Sequence, residues 1–259
     1  MTALDGGRIE ALFGRDCPYT VEVYPVLPST NETARLQGAS GAPAGRVILA
    51  ERQTAGRGRL GRSFYSPSGS GVYMSVLLRP HLSPACASQI TTFAAVAAAR
   101  AVERVSGIDV SLKWVNDLFV KGRKLCGILA EAALDADGKG ISYVVLGIGI
   151  NVLRTAFPEE LSEIATSIED ECGRQIDRNE LVGALLTELL PLLSGEIPEG
   201  YMDEYRARNL VLGRELTVIS GGEAFSAFGK AIEDDGSLVV TLPDGSEKRI
   251  VAGDVSVRI

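Results

Sequence analysis

Apolar positions along the chain change texture once. Up to about residue 208, short runs of strand formers alternate with longer segments of helical period, and beyond it only short strand-like runs remain. Val47–Glu51 and Val72–Leu78 read as strands on either side of a glycine- and serine-rich loop. Ser83–Pro84 supplies an N-cap and an N1 proline for a helix over Ala85–Val105, so apolar all round that it predicts a buried element packed on a sheet. Ile108–Leu112, Leu118–Val120, Leu125–Ala130 and Ser142–Ile150 predict further strands, with a hairpin through Lys121–Gly122. Ser29-Thr30-Asn31-Glu32 has the capping-box pattern for a short helix toward Gln37, and Asp177–Glu180 caps another through Leu193. Tyr201–Arg208 predicts a last helix. Strand-like runs at 214–219, 225–232, 237–242, 247–251 and 255–258, cut by Gly221–Gly222, Asp235–Gly236 and Asp244–Gly245 turns, predict a small β-barrel. The pattern thus gives an α/β (α+β) domain over 1–208, with a mixed sheet and a buried central helix, followed by a β module over 209–259.

Composition narrows the chemistry. No apolar run reaches the roughly 20 residues of a membrane span, and MTALDGGRIE has no signal-peptide core, which points to the cytoplasm. About 20 residues precede the first element, too few for an N-terminal DNA-binding domain. Cys17, Cys86, Cys126 and Cys172 are too widely spaced for a zinc site or a small disulfide framework, and read as reduced thiols. His81 is the sole histidine and reads as a solvated loop residue; one histidine excludes Ser-His-Asp hydrolases and HExxH metalloproteases. The net charge of −7 argues against nucleic acid as a partner. Yet residues 46–62 carry a local +4 and residues 113–124 a local +3, leaving −14 for the rest. Two basic islands in an acidic chain suggest a confined site for an anion.

Gly56-Arg-Gly-Arg-Leu-Gly61 matches the dinucleotide fingerprint GxGxxG formally, but Phe64-Tyr65-Ser66-Pro67 follows instead of a helix, and residues 76–86 hold no acid. That excludes a nicotinamide oxidoreductase of this type; no GK[ST] follows either. The loop reads as an arginine loop whose glycines let backbone N–H groups approach phosphate, or as a plain solvated basic loop.

ERQTAGRGRLGRSFYSPSGSGVYMSVLLRP and KWVNDLFVKGRKLCGILAE resemble the two signatures of biotin protein ligases, with STN at 29–31 and GIGIN at 147–151 in the family's order. The resemblance covers about residues 25–208, with Val115 where the family usually has proline. It implies a biotin/lipoate-ligase-type catalytic domain and a small C-terminal SH3-like β-barrel. It also implies an enzyme that activates biotin with ATP and Mg²⁺ to biotinyl-AMP and transfers it to one lysine of a biotin carboxyl carrier protein. By position, Ser29, Thr30, Asn31, Gln53 and Gly127 match the biotin pocket, although Ser29 also reads as a helix cap. Arg57, Gly58 and Arg59 match the loop that closes over biotin and phosphate, Phe64 the aromatic ring beside the nucleotide, and Asn151 an asparagine near the adenine. Lys124 matches the lysine at the reacting carboxylate and α-phosphate, and Asn116 and Asp117 the Asn-Asp pair, whose aspartate would orient the acceptor lysine or serve as an ordinary salt-bridge partner. The metal ligands are not identified, and a homodimer is left open.

Adenylation drives a carboxylate against a phosphate. At ~4 Å each like-charge pair repels by about 1 kcal/mol in water and about 4 at an effective dielectric near 20, so a closing site needs cations. Arg57, Arg59 and Lys124 are the candidates. Two rivals remain: a lipoate- or octanoate-protein ligase, disfavoured because no SGGG-type loop with a nearby histidine is present, and a non-catalytic biotin-binding regulator, disfavoured by the intact lysine.

Overall fold

Two strands rich in strand formers, β3 (Gly71–Leu78) and β7 (Ile141–Asn151), pair antiparallel from Gly71 opposite Asn151 to Leu78 opposite Val144 and form the middle of a seven-stranded sheet. The computed structural model describes residues 3–80, 87–138, 140–154 and 157–257. The sheet is completed by β1 (Thr20–Tyr24), β2 (Arg46–Ala50), β4 (Ser111–Lys113), β5 (Asp117–Val120) and β6 (Arg123–Leu134), in the order β1-β2-β3-β7-β6-β5-β4. β1 runs parallel to β2 and every other pairing is antiparallel, which makes the sheet mixed as the pattern predicts.

The two faces of the sheet differ. Val72, Met74, Val76 and Leu78 of β3 and Val144, Leu146, Ile148 and Ile150 of β7 join the large core under the helices α3 (Ala87–Ser106) and α6 (Arg178–Leu193). The predicted buried helix is α3: Phe93 to Ala99 are all within 2% of full burial. Its predicted start at Ser83–Pro84, with His81 and Cys86, lies outside the described residues. The opposite face is covered partly by α2 (Thr30–Ala39), through a small cluster of Ala34, Ile48, Leu77, Tyr143 and Val145, and is otherwise open.

Several elements depart from the sequence pattern. The helix α1 (Gly6–Ala11) and strand β1 were not predicted, nor were the short helices α4 (Glu159–Ser162) and α5 (Ile168–Cys172); α7 (Tyr201–Ala207) was. Ser29 does hold the N-cap position of α2, but its side chain makes no capping bond, and Glu32 pairs with Arg35 at 2.6 Å instead of reaching back. Asp177 does cap α6, accepting from the Asn179 N–H. The hairpin turn at Lys121–Gly122 is present, both residues taking positive φ.

The C-terminal part forms an antiparallel five-stranded sheet: β8 (Glu215–Ser220), β9 (Glu223–Ile232), β10 (Leu238–Thr241), β11 (Glu247–Ile250) and β12 (Asp254–Val257), in the order β11-β10-β9-β8-β12. Among the described residues β11 and β12 share no ladder, so the expected barrel is not closed by hydrogen bonds. Only residues 251–253 join these two edge strands. A link of that length spans at most about 14 Å, whereas the edges of a flat five-stranded sheet lie about 19 Å apart. The sheet is therefore curled, with its edges drawn together at one end. It meets the seven-stranded sheet at the β4–β5 turn, where the buried Trp114 indole N–H donates to the Gly236 carbonyl in the turn before β10 (2.8 Å). The Trp114–Val115 peptide is cis, and the Tyr205 hydroxyl donates to the Val115 carbonyl at 3.0 Å.

Candidate functional site

Register builds the site on the open face. Because side chains alternate along a strand, residues paired across the sheet share a face. One row runs Tyr73, Gly149, Gly127, Asp117, and the next runs Ser75, Gly147, Leu129. Two glycines of GIGIN thus face outward over the open side. A Cβ on Gly147 would collide with Asn31 Oδ1, and one on Gly149 would come within 2.7 Å of the Phe64 ring. The missing side chains let Asn31 and Phe64 settle onto the strand itself. A cleft open to solvent lies above this floor.

One end of the cleft is polar and neutral. Ser29, Thr30 and Asn31 are each 5% exposed or less. The Ser75 hydroxyl donates to Asn31 Oδ1 (2.6 Å) and lies 2.8 Å from Thr30 Oγ1. Gln53 Oε1 accepts from the Thr30 N–H (2.8 Å) and hydroxyl (3.1 Å), and its Nε2 donates to Ser66. Gln53 thus braces the first turn of α2 against the loop after β2. Freed from capping, the buried Ser29 hydroxyl lines the cleft.

The other end is cationic. The arginine loop is folded back on itself, with Gly58 N–H donating to the Arg62 carbonyl (2.7 Å) and Phe64 N–H to the Gly56 carbonyl (2.9 Å). Its three arginines go to different partners. Arg57 pairs with Glu131 at 3.1 Å, Arg62 with Asp254 at 2.5 Å, and Arg59 donates to Asn116 Oδ1 (3.0 Å) and the Gly253 carbonyl (3.3 Å). Lys124 pairs with Asp117 at 2.6 Å. Of these four cations only Arg59 has neutral partners among the described residues, so its charge is the least compensated. Nearby, burial pulls the Lys113 ammonium below the usual lysine range, against the opposing pull of Asp254 and Asp117.

Every residue expected from the sequence lines this cleft except Asn151. Asn151 stands one step along the same face of β7 from Gly149, and its Nδ2 donates to the Thr166 carbonyl at 3.1 Å. The charge islands overstate the site: Arg46 pairs with Glu22, and Lys121 and Arg123 pair with Glu171 away from the cleft. Conversely, Ser75, Tyr73, Glu131, Gly253 and Asp254 escaped sequence reasoning. A lone serine inside the otherwise apolar β3 run was the available signal for Ser75. Nothing local marks Gly253 and Asp254, which arrive from the C-terminal sheet.

Known proteins share this fold and much of its sequence. Residues 23–151 match the biotin/lipoate A/B protein ligase family, and residues 211–258 match the biotin protein ligase C-terminal domain. The chain is 36% identical over 244 residues to the biotin–[acetyl-CoA-carboxylase] ligase of Mycobacterium tuberculosis, covering 91% of this chain and 88% of that one. It is 33% identical over 239 residues to the bifunctional ligase/repressor BirA of Bacillus subtilis, covering 90% of this chain and 73% of the relative. Among solved structures it is similar to a biotin protein ligase from Aquifex aeolicus in complex with biotin and ATP (TM-score 0.76, 27% identity, 92% and 98% coverage). With both segments matched in order and the fold shared over most of its length, the chain belongs to the biotin protein ligase family.

Proposed function

We propose that the cleft binds biotin with its ring system at the Ser29–Thr30–Asn31 end and its carboxylate toward Lys124, and that ATP lies with its α-phosphate between Lys124 and the arginine loop. A carboxylate oxygen attacks the α-phosphorus and pyrophosphate leaves, giving biotinyl-AMP. The neutral amine of an acceptor lysine on a biotin carboxyl carrier protein then attacks the acyl carbon. AMP departs, and the amine loses its proton. The observation that carries this reading is one cleft with a neutral hydrogen-bonding end and a cationic end, joined by a glycine floor.

Each group has a physical task. Arg57, Arg59, Arg62 and Lys124 offset the repulsion between carboxylate and phosphate, Arg59 with the least compensated charge. Asp117 acts in the second step. In transfer it orients the incoming amine, whose reference pKa of about 10.4 leaves little of the neutral form at pH 7. Phe64 and Gly58 shape the nucleotide side, and Asn116 holds Arg59. Asn151 supports the adenine end through the segment containing Thr166. Among the described residues no group of three metal-binding side chains exists. The cleft does offer the carboxylates of Asp117 and Asp254. That donor set suits magnesium, which typically needs only one or two protein carboxylates; Asp117 and Asp254 would hold the ion, and it would supply further positive charge.

We divide the chain near residue 208 into the catalytic domain and a curled, SH3-like C-terminal module that lends Gly253 and Asp254 to the cleft. Among the described residues no helix is long and apolar enough to cross a membrane. We place the reaction in the cytoplasm, where ATP and carboxylases meet. An alkanoic or dithiolane acid would leave Thr30 and Asn31 without ligand partners, which disfavours octanoate and lipoate. The test is exchange of labelled pyrophosphate into ATP with biotin, lipoate and octanoate in parallel. Biotin should support exchange far more efficiently than lipoate or octanoate; a preference for either other acid would assign the cleft to lipoyl chemistry.

A further inference from the structure

The Glu131 carboxylate takes no part in the chemistry above, yet it touches both ends of the cleft. It sits on β6 two residues beyond the lining residue Leu129, on the same face. Its Oε2 accepts from Asn31 Nδ2 at 2.8 Å, and its Oε1 pairs with Arg57 at 3.1 Å.

That contact, at 2.8 Å, is the shorter of the two that set the polarity of Asn31. A carboxamide turned by 180° keeps its shape but exchanges donor for acceptor. The Ser75 hydroxyl can donate or accept, so it does not choose between the two orientations. A carboxylate only accepts, and so fixes the nitrogen on its own side. With Nδ2 directed to Glu131 and, at 3.4 Å, to the Leu129 carbonyl, both amide hydrogens are spent on the protein. Oδ1 takes the Ser75 hydroxyl and keeps one lone pair for the cleft.

We infer that Glu131 is a positioning and specificity residue: by fixing the Asn31 carboxamide it makes the neutral end of the cleft an acceptor for a ligand N–H. The cleft thereby selects acids that carry an N–H donor far from their carboxylate over acids of similar length that carry none. This rests on the biotin-activation reading, because biotin's ureido group supplies such a donor and octanoate does not. Through Arg57, the same carboxylate ties the arginine loop to the pocket end.

The test uses the full chain and two variants. Glu131→Ala removes both contacts, whereas Glu131→Gln keeps an acceptor for Asn31 Nδ2 and loses the ion pair. Biotin Kd by calorimetry, and KM and kcat in pyrophosphate exchange, are compared for biotin and octanoate. In Glu131→Ala we expect biotin Kd and KM to rise about tenfold, with kcat and the KM for ATP within about twofold of wild type. Octanoate-driven exchange should stay unchanged, so selectivity for biotin over octanoate falls by the same factor. Glu131→Gln should recover most of the biotin affinity. Unchanged biotin Kd in Glu131→Ala overturns the inference, as does Glu131→Gln being as weak as Glu131→Ala. A loss that raises the biotin and ATP constants together, with a lowered Tm, also overturns it by showing a structural role. Absence of biotin-driven exchange in the wild type brings down the activation reading and this inference with it; a normal wild type with an unmoved variant brings down the inference alone.

Discussion

The two faces of the central sheet are made by the same strands and do opposite work. On the helix-covered face β3 and β7 present Val72, Met74, Val76, Leu146, Ile148 and Ile150, all buried and apolar. One residue away in sequence, the open face presents Tyr73, Ser75, Gly147 and Gly149. Each buried side chain on the first face removes hydrocarbon from water, and the gain is stability. The second face gives up that gain, with glycines where packing would favour bulk, to let Asn31 and Phe64 approach the backbone. Stability and chemistry are therefore separated by alternation, not by distance, and substitutions on neighbouring residues should have unlike effects.

The sharpest way to break that separation lies on the open face. Lys124→Ala should reduce biotin-dependent pyrophosphate exchange by ~10²–10³-fold, the scale of losing a preorganised charge at a transition state. Its Tm should barely move, since a half-exposed ion pair contributes about 0–1 kcal/mol. Asp117→Ala should instead spare exchange and slow transfer to the carrier by roughly 10²-fold, as misplacing a reacting group does. Equal losses in both steps would rule out its role in orienting the amine. On the helix-covered face, Leu146→Ala should cost about 2–5 kcal/mol in denaturant unfolding, with KM and kcat per folded molecule intact; altered KM values there would show the faces to be coupled. Gly149→Ala is milder. The Cβ displaces the Phe64 ring, and the KM for ATP should rise by roughly 3- to 10-fold with little change in Tm.

The smallest expected effect lies away from both faces, at Glu171, whose side chain is 2% exposed. Burial opposes its ionisation, but bonds from Thr166, Lys121 and Arg123 outweigh that and leave its pKa below the usual value of 4.5. A carboxylate lowered on folding stabilises fully above its unfolded pKa and loses that contribution as pH falls through the folded one. Wild type should thus exceed Glu171→Gln in Tm at pH 7, and the gap should close as the pH drops below 4.5. A gap independent of pH would mean that shape, not charge, is what Glu171 supplies.

Much of this is legible in the sequence. The strand-former runs of β3 and β7 and the Ala-rich, nearly all-apolar stretch of α3 are local signals, so those elements follow from pattern alone. The signature segments carried most of the cleft, because a loop and two adjacent strands supply it. What stayed hidden depends on register and on distant segments. β1 escaped because Thr20–Tyr24 is short and lies between Pro18 and Pro25. Glu131 looked like one more acid after an apolar strand until pairing put it beside Asn31. Gly253 and Asp254 reach the cleft only because a three-residue link carries the chain across a curled sheet. Ser29 shows the converse: its cap position was legible, but whether its hydroxyl was spent there was not.

Trp114 is the sole tryptophan of the chain, and it is buried with its indole N–H bound to a carbonyl of the C-terminal module. Tryptophan emission from this protein therefore comes from one joint, the seam between the turn leading into the Asn116–Asp117 pair and the module that supplies Asp254. Any event that loosens the seam hydrates the indole and shifts its emission to the red, while events elsewhere leave the spectrum alone. Without a label or a mutation, the molecule carries an optical gauge of whether its two sheets are engaged.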